Sequence, residues 1–431
     1  MSVLWVGQAE QFKSLSAAVK AAAAGDTINI RAGVYRDDDV RIDKPLTIVG
    51  VGGLAHLEGT KNLANGKGLL IVNTTGQVTL ENLEFSGAKV SDHNGAGIRW
   101  SAGDLTIKSS YFHDNQEGIL SLDIPNGHLK IESSEFANNG YGDGYSHGIY
   151  INKVASVEVN NSYFHDTVSG HLIKSRAALT TVTNSTLIDS DSSYAIDTPN
   201  GGVVTIIGNK IQQGAGTDNP AIIHYGGETS KGTYDANTLT IDGNTIVNQK
   251  SGGYVLAEQL TPTATDISGN VFYGVGKFSN VASVVAHDTV NLPALPDLLN
   301  GVQAMNGTVG APVVSVDANA VARLYAVALD RMPDADGLTF WVNQEKAGMS
   351  HAAVAQDFVN SPEFRTNTAA LDNHGFLSLL YDTAFHRAPD AVGEQAWLNF
   401  LGAGHSRGEV LIGFADSAEM KAATASWNYT G

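Results

Sequence analysis

The stretch LTIKSSYF, residues 105–112, decides the fold of this chain because its pattern occurs seven more times. The related phrases are VTLENLEF (78–85), LKIESSEF (129–136), VEVNNSYF (157–164), TTVTNSTL (180–187), VTIIGNKI (204–211), LTIDGNTI (239–246) and TDISGNVF (265–272). Their last residues lie 23 to 35 residues apart, with a mean of about 27. Repeats of this length predict a solenoid, in which each repeat forms one coil stacked on its neighbours.

Apolar residues alternate within each phrase, which indicates strands rather than helices. The position two before the end of the phrase is polar in seven of the eight repeats: Ser110, Ser134, Ser162, Ser185, Asn209, Asn244 and Asn270, with Leu83 in the first. Hydroxyls and amides at one turn position of stacked coils predict a ladder of hydrogen bonds along the solenoid. The column is therefore interpreted as structural and not as catalytic.

A second short strand follows in most coils, and no ten-residue stretch with a period of 3.6 lies between the strands. Two or three strands per coil, with Gly, Asn and Asp at the bends, predict a parallel β-helix. The open end of such a stack needs a cover, because it would otherwise present unpaired backbone groups. The Ala-rich residues 11–24 carry apolar side chains on one face and predict an N-terminal capping helix.

After that helix come a Gly-Asp turn at residues 25–26 and an A-G-x-Y turn at residues 32–35. Together they resemble the first coil of the right-handed parallel β-helix proteins, a class that includes pectate lyases, pectin esterases and alginate epimerases. The resemblance covers about residues 10–285 and implies a mainly β fold, a right-handed single-stranded parallel β-helix. The class contains lyases, hydrolases, epimerases and adhesins, so the resemblance does not select one activity.

The repeats end near residue 286, and three regions follow from that boundary. We predict a β-helix domain at residues 1–286, a linker rich in Pro, Gly and Asn at 287–316, and a small all-α domain at 317–431. The last region is duplicated at a constant offset of 56, as in Tyr325 and Tyr381 or Trp341 and Trp397, with copies at about 320–366 and 376–422.

The repeated pattern L-Y-x-x-x-L-x-R-x-P-D-x-x-G-x-x-x-W resembles a bacterial domain of uncharacterised function that is attached to secreted, RTX-associated or surface proteins. The resemblance implies export by a type I route, or cell-surface or matrix association through this domain. No GGxGxD calcium repeats are present. The DADG segment at 334–337 is predicted to cap the next helix rather than to bind calcium, because the later bidentate Glu of a calcium loop is missing.

Composition excludes several classes of partner. With 26 basic and 44 acidic residues, the net charge of −18 argues against binding to nucleic acid or to anionic membrane surfaces. The absence of cysteine excludes disulfides and thiolate chemistry. The first residues show no Sec-type signal, and no run of 18 apolar residues predicts a membrane span. Together with the missing Sec signal, the resemblance of the helical domain to domains of exported proteins implies a secreted or cell-surface protein with non-Sec export by a type I route.

Charged side chains concentrate in the third to sixth coils, where side chains of adjacent coils form columns about 4.8 Å apart. A charge buried without a partner would cost several kcal/mol, so we place Ile173 and Ser175 inward and Lys174 outward. The same argument places Ile196 inward and Asp197 outward. Lys174 and Asp197 are then predicted to pair on adjacent coils in an open groove, and His147 and Tyr150 are expected one coil below.

The resemblance to β-helix lyases, which use Arg or Lys as the base and calcium or further cations to neutralise a uronate, supplies roles for this groove. It implies that Lys174 and Arg176 are base and neutraliser and that His147 or Tyr150 protonates the leaving oxygen. The predicted catalytic residues are Lys174, Arg176, His147, Tyr150 and Asp197. The predicted substrate-binding residues are His171, Tyr194, His224, Tyr225 and Glu228. Asp143 is the candidate metal ligand, with calcium as its ion.

Four functions stay open at this point. The first is a lyase that cleaves an acidic, uronate-containing extracellular polysaccharide by β-elimination. The second is a non-enzymatic adhesin, in which Lys174, Asp197 and His224 form a structural ladder. A glycoside hydrolase would pair Asp197 with Asp189, Asp191 or Glu228, and a uronate C5-epimerase would use Tyr and His. Four other histidines are assigned to solvated or hydrogen-bonded turns: His93, His113, His128 and His165.

Overall fold

The computed structural model describes residues 2–189, 192–228, 230, 232–293, 295–296, 298–299, 302, 305, 318–346, 351–368, 371–402, 406–427 and 429. The chain divides into two compact units, Met1–Met305 and Asn306–Gly431.

The N-terminal unit is a stack of coils whose strands pair in parallel along three sheets. Sheet 1 contains β1 (Val3–Val6), β2 (Thr27–Arg36), β4 (Leu46–Glu58), β10 (Ile124–Glu132), β13 (Val154–Asn160), β16 (Leu179–Thr183), β19 (Val203–Ile207), β22 (Thr238–Asp242) and β25 (Ala264–Ser268). Sheet 2 contains β6 (Leu83–Ser86), β8 (Tyr111–His113), β11 (Glu135–Ala137), β14 (Tyr163–His165), β17 (Thr186–Asp189), β20 (Lys210–Gln213), β23 (Thr245–Asn248), β26 (Val271–Tyr273) and β28 (Val290–Asn291). Sheet 3 contains β3 (Val40–Ile42), β5 (Gly68–Glu81), β7 (Ala96–Lys108), β9 (Glu117–Ser121), β12 (Ile149–Ile151), β15 (Ile173–Ser175), β18 (Ile196–Thr198), β21 (Ala221–Tyr225), β24 (Tyr254–Glu258) and β27 (Lys277–Ser279).

Long strands carry the chain round the bends in the early coils. β2 and β4 start in sheet 1 and end in sheet 2, and β5 and β7 start in sheet 3 and end in sheet 1. In every sheet one face of most strands is apolar and packs into a single continuous core. Part of that core is a stack of phenylalanines, Phe85, Phe112, Phe136 and Phe164, whose rings lie 4.5–4.7 Å apart.

The predicted ladder of Ser and Asn is confirmed. Each of these side chains accepts a hydrogen bond from a backbone N–H one coil away, from Leu83 N to Ser110 Oγ at 3.2 Å through to Asn244 N to Asn270 Oδ1 at 3.0 Å. All of the ladder residues are buried. The position just before the ladder has positive φ in each coil, at Asn82, Ser109, Ser133, Asn161, Asn184, Gly208, Gly243 and Gly269. Asn and Gly, which tolerate that left-handed conformation, occupy six of these eight positions, and Ser occupies the other two.

The N-terminal cap is present but shorter than predicted. Helix α1 covers Leu15–Ala21, because Ser14 caps it by accepting the N–H of Ala17. Its apolar face, Leu15, Ala18 and Val19, is buried. At the other end of the stack, β28 pairs with β26, so the first residues of the predicted linker add a strand to the solenoid. Residues 306–317 of that linker lie outside the described residues.

The C-terminal unit is helical and contains both predicted copies. The first has α2 (Ala318–Leu329), α3 (Ala335–Lys346), α4 (His351–Asn360) and α5 (Pro362–Thr368), and the second has α6 (Asn373–Phe385), α7 (Ala391–Gly402), α8 (Arg407–Ala415) and α9 (Ala418–Ala423). Equivalent contacts recur in the two copies. Tyr325 packs edge-on against Phe358 at 4.8 Å, and Tyr381 packs against Phe414 at 4.9 Å.

The predicted caps of this unit are also observed. Asp334 accepts the N–H of Gly337 and Asp390 accepts that of Gly393, each at 2.8 Å. Both glycines lie against a tyrosine hydroxyl, and a Cβ there would come within 2.4 Å of the hydroxyl oxygen. A side chain at either position would therefore push the tyrosine out of the core.

Candidate active site

Four polar side chains form one column on sheet 3. Tyr150 pairs with Lys174, Lys174 with Asp197, and Asp197 with His224, on four successive coils. We call these four residues the polar column. Its centre is the ion pair predicted from the sequence, with Lys174 Nζ 3.2 Å from Asp197 Oδ2.

The alternation along these strands agrees with the prediction, but the exposure does not. Ile173, Ser175 and Ile196 are buried on the core side, and Lys174 and Asp197 lie on the other face. However, the Asp197 residue is only 2% exposed, and the Lys174 side chain is 11% exposed. Neighbouring side chains and the segment after β21 cover them, so the expected open groove is a covered cluster of paired charges.

The Asp197 carboxylate contacts three neighbouring side chains. Its Oδ1 lies 2.7 Å from His224 Nδ1, and its Oδ2 lies 3.3 Å from His171 Nε2 and 3.2 Å from Lys174 Nζ. Burial opposes ionisation, but the hydrogen bond from His224 and the charges of His171 and Lys174 hold the Asp197 pKa well below its usual value. Asp197 is therefore an anion across the working pH range.

Beneath this carboxylate lie two stacked, buried histidines. The rings of His147 and His171 are 4.7 Å apart. His147 Nδ1 accepts the backbone N–H of His171, and His171 Nδ1 accepts that of Tyr194, so each ring carries its proton on Nε2. Burial lowers the pKa of His171 to about 4 and that of His147 well below its usual value. Both rings are neutral at neutral pH, and protonation of a leaving group by His147 stays a prediction.

His224 differs from these two rings because one of its nitrogens is unused. Its Nδ1 is hydrogen-bonded to Asp197, and its Nε2 has no hydrogen-bond partner among the described residues although it is buried. The ring stacks on Tyr194 at 4.7 Å. A Cβ on Gly227 would lie 2.6 Å from Nε2, so only a glycine lets the backbone pass this close to the nitrogen.

Arg176 is buried, and all three of its guanidinium nitrogens donate hydrogen bonds. Its Nε donates to the Tyr150 hydroxyl at 3.2 Å, its Nη1 to Asn200 Oδ1 at 2.7 Å, and its Nη2 to Glu228 Oε2 at 2.7 Å. The other oxygen of Glu228 accepts from Lys174 Nζ at 3.3 Å. One carboxylate thus bridges the two cations that the sequence assigned to catalysis.

Three other predicted site residues that the structure describes lie outside this cluster. Tyr225 is a correction: it is fully buried in the apolar core, and its hydroxyl donates to Gly202 O at 2.8 Å, so it cannot bind a substrate there. Asp143 accepts from Tyr145 N and Ser146 Oγ within its own turn, and calcium at this position stays a prediction. Asp189 accepts the N–H of Ser192, and Asp191 lies outside the described residues.

Of the four histidines assigned to turns, one lies in a turn and three lie on strands. His93 occupies a turn with positive φ and stacks on Tyr141 at 3.6 Å. His113, His128 and His165 lie on strands instead, and each has a hydrogen-bonded side-chain partner.

Sequence reasoning missed the residues that cover the site. Asn200 Oδ1 accepts a hydrogen bond from Arg176 Nη1, and the Tyr234 hydroxyl donates one to Arg176 O. The buried Glu117 carboxylate accepts the backbone N–H of His147. Tyr234 and Glu228 come from the segment that makes one repeat interval 35 residues long, against a mean of about 27. That long interval was the available signal for a segment that folds over the column.

This arrangement can perform base chemistry at one atom. Asp197 fixes the His224 ring with its proton on Nδ1 and leaves the Nε2 lone pair to accept a proton, which is the geometry of an oriented general base. The Lys174 ammonium is part of the same cluster. The Glu228 bridge shows that the space between Lys174 and Arg176 accepts a carboxylate.

Family models match both units. A model described as "Right handed beta helix region" matches residues 57–211. The N-terminal unit is a right-handed parallel β-helix. A second model, "Domain of unknown function (DUF4214)", matches residues 313–368 and 355–424, one match over each helical copy that follows the β-helix. No curated protein matches the chain.

Solved structures resemble the chain only at low identity. A protein of Geobacillus virus E2 (ORF18) gives a TM-score of 0.40 at 14% identity over 64% of this chain and 56% of that one, so the chain spans little more than half its length. A pectin methylesterase from Aspergillus niger gives 0.34 at 13% identity over 72% and 91% of the two chains. A mannuronan C-5 epimerase A-module from Azotobacter vinelandii gives 0.31 at 13% identity over 65% and 95%. Similarities at this level assign neither a family nor an activity to the chain.

No helix in the described part of the chain has the length and apolar character that a membrane crossing needs.

Proposed function

We propose that the β-helix acts on a uronate-containing polysaccharide by removing the proton at C5 of a uronate and cleaving the chain by β-elimination. The observation that supports this most strongly is the His224 ring, held by Asp197 on one nitrogen and without a partner on the other. Elimination needs a base of this kind beside a group that stabilises the uronate carboxylate. Lys174 and Arg176 are those cations.

In the proposed step, the segment after β21 moves aside as the substrate carboxylate displaces Glu228, His224 Nε2 takes the C5 proton and the C4–O bond breaks. The electron pair of the C5–H bond becomes the C4=C5 double bond, and the leaving O4 takes a proton. We assign that proton to Tyr194, whose ring stacks on His224. Burial, together with the charge of Asp197, raises the pKa of Tyr194 to about 12, so its phenol holds its proton at neutral pH.

The proposal changes the roles suggested by the sequence. Lys174 contacts two carboxylates and serves as a cation, while His224 replaces it as the base. A substrate carboxylate would take the place of the Glu228 carboxylate between Lys174 and Arg176. Arg176 then binds the substrate carboxylate together with Lys174. Tyr150, His171 and His147 act as positioning residues, because Tyr150 accepts from Arg176 and the two histidines accept backbone N–H groups.

Uronate C5-epimerisation is the second candidate, and the stacked His224 and Tyr194 pair favours it. An epimerase removes the same C5 proton and returns one from the opposite face of the sugar without breaking the chain. Two proton-transfer groups at one site provide for both reactions. The products separate them, because only elimination creates an unsaturated uronate.

The proposal also places the protein outside the cell, with the helical unit attaching it to a surface or matrix and an acidic polysaccharide as its partner. The resemblance of the helical unit to domains of exported proteins supports this. Fractionation of cells that produce the chain natively tests it. The chain is expected in the medium or surface fraction, and confinement to the cell interior would contradict the assignment.

The enzymatic proposal is tested on a panel of alginates, pectates and glycosaminoglycans. Full-length protein is expected to raise the ultraviolet absorbance of at least one polymer through new unsaturated uronates, and Lys174→Ala to abolish the rise. Gly227→Ala, which would place a carbon 2.6 Å from His224 Nε2 and displace the ring, should do the same. Gly243→Ala is the matched control, because its φ is also positive but nothing lies within 4 Å of the added carbon.

If the wild-type protein bound a polymer from this panel without altering it, and Lys174→Ala bound it equally well, the polar column would be structural and the protein an adhesin.

A further inference from the structure

A second cluster of chemically reactive side chains lies on sheet 2, away from the polar column of sheet 3. His56, Glu84 and His113 come from three successive coils, on the strands β4, β6 and β8, and face outward. The two imidazoles converge on one carboxylate oxygen. His56 Nδ1 lies 3.5 Å and His113 Nε2 lies 3.0 Å from Glu84 Oε1, and the three candidate ligand atoms all fall within 4.8 Å of one another.

The outer nitrogens of both rings are held by a second layer of partners. His56 Nε2 is 2.6 Å from Ser86 Oγ, and His113 Nδ1 is 2.6 Å from Asp114 Oδ2. In metal sites, a ligating histidine has its other nitrogen fixed in this way by a carboxylate, hydroxyl or carbonyl group. Each ring is therefore oriented with its remaining nitrogen directed at Glu84.

The distances suit a tetrahedral ion. Ligands about 2.0–2.1 Å from a tetrahedral zinc lie about 3.3 Å from one another, close to the 3.0 and 3.5 Å found here. Two imidazoles and one carboxylate are a ligand set for Zn²⁺ and related transition metals, and a poor one for calcium. The three side chains are 18–21% exposed, so an ion can enter and a water molecule can complete its coordination.

The chain contains its own control for this cluster. Glu135, His165 and Asp166 repeat part of the arrangement farther along sheet 2, with His165 Nε2 at 3.0 Å from Glu135 Oε1 and Nδ1 at 2.6 Å from Asp166 Oδ2. The position that corresponds to His56 is Tyr111, which pairs with Glu135. This second copy has one imidazole and one carboxylate, and lacks the third ligand.

We propose that His56, Glu84 and His113 form a binding site for one divalent transition-metal ion, with Zn²⁺ as the preferred ion. Asp114 and Ser86 orient the two histidines as positioning residues. The site is independent of the function proposed for the polar column, because none of its residues contacts that column and the two clusters lie on different sheets.

The test is metal titration of chelator-treated full-length protein, with Zn²⁺ followed by calorimetry and Co²⁺ by its visible absorption. One equivalent is expected to bind, and the Co²⁺ spectrum should be that of a four-coordinate ion. His56→Gln and His113→Gln should each weaken binding at least 100-fold, and Asp114→Asn about 10- to 100-fold. His165→Gln should leave the affinity unchanged.

Circular dichroism of each variant establishes that the β-helix is intact. The site assignment is overturned if folded wild-type protein binds neither ion below millimolar concentration. It is equally overturned if folded His56→Gln binds like wild type, or if His165→Gln loses as much affinity as His113→Gln. None of these outcomes depends on polysaccharide activity, so failure here leaves the polar column to its own tests.

Discussion

At the residue scale, Asp197 organises the candidate active site because it holds His224, His171 and Lys174 at once. Its charge fixes the proton of His224 on Nδ1. A neutral amide at this position could not satisfy all three donors, and the ring would no longer be held with Nε2 as the acceptor. The residue should therefore affect catalysis more than substrate binding.

We expect Asp197→Asn to lower kcat by at least about 100-fold with a small change in KM, because orientation of the general base is lost. Steady-state kinetics on the responsive polymer measures both constants. Asp166→Asn is the control, since it changes a carboxylate that also holds a histidine, but on sheet 2. Equal losses in the two variants would show that the effect is not specific to the column.

Glu228 should behave in the opposite way. If its carboxylate occupies the place of the substrate carboxylate between Lys174 and Arg176, Glu228→Gln should lower KM several-fold and leave kcat nearly unchanged. Glu158→Gln, an exposed change on sheet 1, is the control. An unchanged KM together with a lower melting temperature would mean that Glu228 only stabilises the fold.

The sequence could predict part of this site, and the limit has a physical cause. The alternation of Ile173, Lys174 and Ser175 follows from the period of a strand and from the cost of burying a lone charge. The Lys174–Asp197 pair could therefore be predicted from the sequence. Exposure depends on the segment after β21, whose path is set by long-range contacts such as Tyr234 with Arg176. Tyr225 was wrongly predicted because a tyrosine at a strand end fits either face, and here its hydroxyl found a backbone partner inside.

At the element scale, the buried ladder and the left-handed residue before it define each coil. Asn244 shows why amides occupy the later positions. Its Oδ1 accepts from the backbone and side chain of Asn209, and its Nδ2 donates to Ile206 O and Asn270 Oδ1. The repeated phrase made this ladder predictable, since one polar residue recurs at one turn position where a stacked coil would bury it.

Asn244→Ala should lower the free energy of unfolding by about 2–3 kcal/mol, because it leaves buried donors and acceptors without partners. Denaturant unfolding followed by the β-sheet circular dichroism signal measures the change. Thr240→Ala, on strand β22 of the same coil and half-exposed, should alter it by less than about 0.5 kcal/mol. Similar losses in both variants would contradict a specific role for the ladder.

At the scale of the whole molecule, the buried histidines make the β-helix sensitive to acid. The pKa of His171 is lowered to about 4 in the folded chain from 6.5, and that of His147 is also lowered. The unfolded chain therefore binds more protons between these values, and stability falls as the pH drops through this window. Asp197, whose pKa is also lowered, adds a further loss below its usual value of 3.8.

We expect the free energy of unfolding to fall on the order of 3 kcal/mol from His171 alone between about pH 6.5 and pH 4, since one pKa unit corresponds to about 1.4 kcal/mol. His171→Gln should be less stable at neutral pH and show a shallower decline towards pH 4. Denaturant midpoints at several pH values measure the slopes. Parallel slopes for the variant and wild type would refute the assignment to His171.

The net charge of −18 makes the two cations Lys174 and Arg176 important, because an acidic protein that handles an acidic polymer must bind it through few positive groups. Lys174 and Arg176 are gathered at one place on sheet 3, beside the base that would act on the bound sugar. The central claim of the account is that this base, His224 Nε2, removes the proton at C5.

The most direct test follows the release of tritium to water from uronate polymers labelled at C5, because both elimination and epimerisation lose this hydrogen. Wild-type protein is predicted to release it from at least one polymer, and His224→Gln to release it at least about 1,000-fold more slowly. His128→Gln, which removes a histidine bound to Ser156 on sheet 1, should behave like wild type. Release by folded His224→Gln at the wild-type rate, or no release from a polymer that the wild-type protein binds, would contradict the claim.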